Sequence, residues 1–112
     1  MTVSEGQPVE LPCRMLGITT TPIVAEWKYQ QSRGQSALRV SYRRRLMQRF
    51  RRRFAVRSWN YSVEDGEWDF SLMIRSVIRD DEGIYMCVIS DLQSAELRQY
   101  VYLYVTGLYK HP

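Results

Sequence analysis

Few residues in this 112-residue chain are of a type that could do chemistry, and they are unevenly spread. The one histidine, His111, sits next to the last residue, and the two cysteines are Cys13 and Cys87. One imidazole and two thiols cannot assemble a four-ligand zinc site, and no Ser-His-Asp or Cys-His arrangement can be drawn. Four carboxylates gather around an Asp-Gly pair in Glu64-Asp65-Gly66-Glu67-Trp68-Asp69. Calcium requires about six to eight oxygen ligands in a shaped loop, so a solvated hairpin turn is the better reading. No metal and no cofactor are expected. With no catalytic constellation, the chain reads as a binding protein and not as an enzyme.

The most concentrated chemistry is cationic. In RRRLMQRFRRRF, Arg43 to Phe54, seven of the twelve residues are arginine. The chain as a whole carries 16 Lys and Arg against 12 Asp and Glu, a net charge of +4. Without those seven arginines the balance is nine against 12, or −3, so the basicity belongs to one patch. One or two charges suffice to keep an edge strand from pairing with another chain. The excess points to a polyanion-binding edge formed by Arg43, Arg44, Arg45, Arg49, Arg51 and Arg52, with Leu46, Met47 and Phe50 anchoring it to a sheet. Guanidinium forks suit sulfate and phosphate oxygens, so the expected ligands are anionic glycans or bacterial surface polymers, with no specific recognition of nucleic acid. Arg49-Phe50-Arg51-Arg52 also matches the R-x-R-R pattern cut by proprotein convertases, but cleavage needs an exposed, unfolded segment.

The elements that must position these groups are strands. VELPCRM, IVAEWKY, ALRVSY, FAVRSW, FSLMIRSV, GIYMCVIS and YVYLYVT are short, β-branched or aromatic, and bounded by turn residues. With 45% hydrophobic and 25% charged residues, they predict one all-β antiparallel sandwich spanning residues 1–106, followed by a linker at 107–112. From Tyr100 to Val105 the aliphatic residues fall on one face and the tyrosines on the other. Asp80-Asp81-Glu82-Gly83 is the candidate for a short helical turn. No apolar run approaches the roughly 18 residues of a membrane span. Met1 is followed by polar TVSEGQP and not by a secretion signal, so an extracellular protein with this sequence would be a trimmed piece.

Trp27 lies fourteen residues after Cys13, and Asp81-Glu82-Gly83-Ile84-Tyr85-Met86-Cys87 precedes the second strand cysteine. A lone cysteine pair could also be two buried thiols. The spacing, however, resembles the variable-type immunoglobulin superfamily domain, a two-sheet sandwich with one inter-sheet disulfide. That resemblance implies a Cys13–Cys87 bridge, core roles for Trp27 and Tyr85, and an ion pair between Arg53 and Asp81. A bridge closing a loop of this length is worth roughly 4 kcal/mol by the loop-closure estimate. The 73 intervening residues leave room for two extra strands, C′ and C″, from ALRVSYR and LMQRFR. A disulfide implies an oxidising compartment, which argues against a nuclear address for the arginines and fits an extracellular location. Asn60-Tyr61-Ser62 is then a candidate glycosylation site at Asn60.

If Tyr85 and Cys87 face inward, Ile84, Met86 and Val88 face outward beside Tyr100, Tyr102 and Tyr104, with Lys28 and Gln30 on the next strand. Paired variable domains of the family dimerise through this G-F-C-C′ face. The resemblance therefore implies a homodimer, or pairing with a related immunoglobulin domain, through Gln30, Met86, Val88, Tyr100, Tyr102 and Tyr104. Rearranged antigen receptors carry F-G-x-G at the start of the last strand, where this chain has Leu97-Arg98-Gln99-Tyr100. The implied class is an immune-type or adhesion receptor.

Overall fold

The computed structural model describes residues 1–16, 24–43, 45–57, 60–62, 67–90 and 96–107. Twelve strand segments are assigned among them: β1 (Thr2–Ser4), β2 (Val9–Leu11), β3 (Arg14–Leu16), β4 (Val24–Gln30), β5 (Leu38–Tyr42), β6 (Arg45–Leu46), β7 (Phe54–Val56), β8 (Asn60–Ser62), β9 (Glu67–Asp69), β10 (Leu72–Ile74), β11 (Gly83–Ser90) and β12 (Glu96–Thr106). One layer runs β1-β12-β11-β4-β5-β6. The other consists of two three-stranded pieces, β2-β10-β7 and β3-β9-β8, in the same strand order. Pro12 has no N–H to donate and interrupts the first of these strands. The pieces stay joined where Phe70 N–H donates to the Cys13 carbonyl (2.8 Å) and Arg57 N–H donates to the Ser71 carbonyl (2.9 Å). This is the two-sheet sandwich expected from the sequence, with two differences. The first is a parallel pairing of β1 with β12 through Thr2↔Tyr104 and Val3↔Val105, which the short polar segment TVS gave no reason to expect.

The second difference concerns the extra strands. β5 forms as expected, but the C″ strand expected from LMQRFR shrinks to Arg45–Leu46, followed by a 3-10 turn at Gln48–Phe50. The apolar residues there keep no strand period. Instead Leu46 and Phe50 pack against the core, and Phe50 meets Phe54 edge-on at 5.2 Å. Burial of those side chains outweighs the ladder hydrogen bonds a longer edge strand would make.

Leu11, Trp27, Val40, Phe54, Phe70, Leu72, Ile74, Val77, Tyr85 and Leu103 fill the space between the layers, around a disulfide joining Cys13 to Cys87. Trp27 stands opposite Cys87 in the β4–β11 register and is 1% exposed. Its indole N–H donates to the Phe70 carbonyl across the sandwich at 2.8 Å. A buried indole thus has its one donor satisfied.

The β10–β11 connection contains a 3-10 turn at Arg79–Asp81. The Asp81 carboxylate is 5% exposed and takes both guanidinium nitrogens of Arg53, at 2.6 and 2.9 Å, plus the Ile78 N–H at 2.9 Å. The Tyr85 hydroxyl donates to the Asp81 carbonyl (2.6 Å), and the Tyr29 hydroxyl is shared between the carbonyls of Asp80 and Glu82. Gly83 completes the turn at φ +153°, where a Cβ would lie 2.6 Å from the Tyr29 ring and 2.7 Å from the Gln30 carbonyl oxygen. That collision is the physical reason for the glycine between Asp81 and Tyr85.

Burial, reinforced by the Asp81 charge, pushes the Tyr85 hydroxyl above the ordinary tyrosine value of 10.0, and burial raises Tyr29 in the same direction. The native state therefore keeps protons that the unfolded chain releases above about pH 10, and stability falls as pH rises past that point. Thermal unfolding measured from about pH 8 to pH 12 should show a level Tm and then a decline beginning near the ordinary tyrosine pKa. A Tm that stays level across the whole range would contradict this network.

Candidate recognition surfaces

The outer face of the six-stranded sheet takes its side chains from strict alternation. Along β12, Leu103 and Val105 are buried, whereas Tyr100, Tyr102 and Tyr104 are 55%, 40% and 55% exposed. Along β11, Tyr85, Cys87 and Ile89 point into the core, while Ile84 and Met86 lie half-buried on the opposite side. Register sets Ile84 beside Tyr102 and Met86 beside Tyr100, with Gln30 and Lys28 on the other flank. A shallow cleft opens between Lys28, Gln30, Ala37, Ile84, Met86 and Tyr100. The three tyrosines thus form an aromatic row on a strand paired with β11 along most of its length and with β1 at its Tyr104 end.

Two residues of the expected pairing face behave differently. Val88 has the outward register but is only 5% exposed. It lies between Glu26 on β4 and Arg98 on β12, whose long side chains share its face. It therefore offers little surface of its own. Gln30 is half-buried, and its side-chain amide donates to the Gln35 carbonyl at 2.6 Å, so that donor is already engaged within the chain.

A charged cluster at the β4–β5 end of this face was missed from sequence. Glu26 is 7% exposed, and its carboxylate is shared by Arg39 and, at 3.8 Å, by Lys28. The Arg39 guanidinium lies over the Tyr42 ring, 4.4 Å from its centroid, and that of Arg43 lies 5.7 Å from the same centroid. The signal was available in part. The alternation that turns Lys28 and Gln30 outward also turns Glu26 outward, and an acid on a strand flanked by basic strands calls for a partner.

The arginine run is not a continuous strand edge. Arg43 occupies the turn between β5 and β6 with φ +59°, and its N–H donates to the Ala25 carbonyl at 2.8 Å. Arg45 begins β6. Arg49 lies in the 3-10 turn and lines an open cleft with Tyr29, Gln35, Leu38 and Asp80. Arg51 and Arg52 lie in the turn that follows, where Arg51 Nε donates to the Leu46 carbonyl at 3.3 Å. All five are exposed, and Arg44 lies outside the described residues. Among the described residues none of the five has a carboxylate partner, in contrast to Arg14, Arg39, Arg53, Arg57, Arg79 and Arg98.

Asn60 opens β8, the outer strand of its sheet piece, with its backbone opposite Asp69; its side chain lies outside the described residues. The tip of the carboxylate-rich turn, 63–66, also lies outside them. At its end, Asp69 accepts the Ser71 N–H at 2.9 Å and pairs with Arg14 at 3.6 Å. No helix among the described residues is long and apolar enough to cross a membrane.

Comparison with known proteins agrees with this architecture. Residues 1–106 match the immunoglobulin V-set domain family. Over 108 residues the chain is 31% identical to the tyrosine-protein kinase receptor TYRO3 of Mus musculus and 30% identical to that of Rattus norvegicus. The alignment covers 96% of this chain but only 10% of each relative, so the chain spans about a tenth of their length. The V-set fold is a recognition fold without catalytic machinery. With the inter-sheet disulfide, the buried Trp27 opposite Cys87 and the Asp81–Tyr85 turn in position, the chain belongs to the immunoglobulin V-set family.

Proposed function

We propose that this domain is the extracellular recognition module of an immune-type or adhesion receptor, pairing through the outer face of its six-stranded sheet with a second copy or a related V-set domain. The observation that carries this reading is the exposed row of Tyr100, Tyr102 and Tyr104 beside half-buried Ile84 and Met86. Aromatic residues and Met on a rigid surface, rimmed by charge, are the composition of an interface core. The likeness to a tyrosine-protein kinase receptor supports a receptor context, and the disulfide supports an oxidising one. Residues 1–106 are read as the binding unit, with 107–112 as linker and Asn60 as a glycan acceptor.

Sedimentation over a concentration series tests the pairing. The wild-type domain should associate reversibly, and Tyr102→Asp should weaken association by about thirtyfold or more, the scale of losing an aromatic anchor. Equal association by the two proteins would overturn the choice of face. A wild-type domain that stays monomeric at high concentration would remove the second copy as partner.

A second reading is favoured by a separate observation, the exposed arginines of the β5–β6 region that lack carboxylate partners among the described residues. In it the domain binds anionic glycans or bacterial surface polymers, as a pattern-recognition or glycosaminoglycan-binding module. The two readings use neighbouring parts of one sheet face, the tyrosine row and the β5–β6 end, and are compatible.

A further inference from the structure

We propose that the anion-binding site is the β5–β6 turn itself, built from Arg39, Tyr42, Arg43 and Arg45, and that it takes a sulfated glycan. This inference rests on the polyanion reading above and confines it to one end of the arginine run. At that end two cations, Arg39 and Lys28, share a single buried carboxylate, Glu26. Adding Arg43 and Arg45 brings four positive charges against one negative within a few residues of the turn. The Glu26 contact does more than neutralise. It holds the Arg39 guanidinium over Tyr42, so that arginine is ordered before any ligand arrives, and less entropy is lost on binding.

Arg43 gives the second observation. Its φ of +59° is a left-handed conformation that glycine or asparagine adopts at lower cost than arginine. The turn is nonetheless closed by an arginine, whose backbone is fixed by its hydrogen bond to Ala25 and whose guanidinium returns over Tyr42. A strained backbone that presents a charged group beside an ordered one is a feature of ligand sites. Arg51, by comparison, spends its Nε on the Leu46 carbonyl, and Arg49 shares its cleft with Asp80.

The same geometry selects the ligand class. Binding of single-stranded nucleic acid depends on free aromatic faces on which bases stack. Tyr42 is the aromatic of this cluster, and two guanidinium groups already lie over its ring. A sulfated sugar chain needs only the forks, which match its sulfate oxygens, and it occurs in the oxidising compartment that the disulfide implies.

The test is titration of the intact domain with a heparin octasaccharide at low salt, followed by fluorescence anisotropy. Arg43→Gly with Arg45→Ser should weaken binding about tenfold or more, the loss expected for two charge-assisted contacts. Glycine suits the left-handed turn, so the Tm of the double variant should hold or rise, which separates lost binding from lost folding. Arg33→Ser with Arg75→Ser removes the same net charge from two exposed arginines elsewhere and should change affinity less than about twofold. An equal loss in this control, or in Arg51→Ser with Arg52→Ser, would overturn the placement at the turn while leaving a polyanion edge standing. Wild-type binding no tighter than that of an unrelated protein of charge +4 would overturn the polyanion reading itself. A single-stranded oligonucleotide of equal charge binding as tightly as the octasaccharide would overturn the glycan class.

Discussion

Trp27→Ala is expected to destabilise the domain by about 3–5 kcal/mol, at the upper end of single substitutions. The indole is almost wholly buried beside the disulfide, so alanine leaves a cavity that two sheets pinned by a covalent bridge cannot collapse to fill. The substitution also strips the Phe70 carbonyl of its indole donor. Losing one such hydrogen bond costs about 1 kcal/mol. Trp27→Phe separates the two contributions, because it retains most of the ring but not the donor, and should cost about half as much. Equilibrium unfolding in urea measures both. A loss under about 1 kcal/mol for the alanine variant, with an unchanged slope, would show that Trp27 does not anchor the sandwich.

Removing Arg53 should have the next largest effect. Its two bonds to Asp81 are bidentate, and it also donates to the Ser76 carbonyl at 3.1 Å, tying the β7 segment to the turn before β11. About a third of the Arg53 side chain is exposed, so the pair as a whole contributes little over two apolar residues. The asymmetry lies in Asp81. Arg53→Met leaves a carboxylate that is 5% exposed with, among the described residues, the Ile78 N–H to compensate it, and should cost about 3 kcal/mol. Arg53→Met combined with Asp81→Asn should recover part of that loss, because the stranded charge is gone. Arg53→Met with an unchanged midpoint of thermal unfolding would show that the ion pair does nothing for the fold. A double variant no more stable than the single one would show that the loss comes from the packing of the arginine stem and not from the charge.

Much of the frame was legible in the residue order, because it rests on local spacing. The Cys13–Trp27 interval and the Asp81-to-Cys87 motif carry the resemblance to variable-type immunoglobulin domains, which implied the bridge and the core roles of Trp27 and Tyr85. The bridge needs thiols, the buried donor needs an indole, and the turn needs a residue without a Cβ. The alternation of Tyr100 to Val105 likewise sorted core from surface, because a strand has a period of two. The outer face was readable to that extent, down to the exposed tyrosine row.

What the sequence could not determine depends on which side chains arrive from distant strands. Val88 has the outward register yet is only 5% exposed, between Glu26 and Arg98 on two neighbouring strands. Leu46 and Phe50 were expected to anchor the arginine run and do pack on the core, but the run has charge and no periodicity, so nothing local said that a 3-10 turn would replace the expected strand. The sharing of Glu26 between Lys28 and Arg39, and the return of Arg43 over Tyr42, follow from a hairpin that brings those residues together in space. Composition therefore determined by itself that the domain carries a concentrated positive charge. Only the tertiary structure decided which arginines are neutralised, which are ordered and which remain free to meet a ligand, because pairing is a matter of distance and charge count carries none.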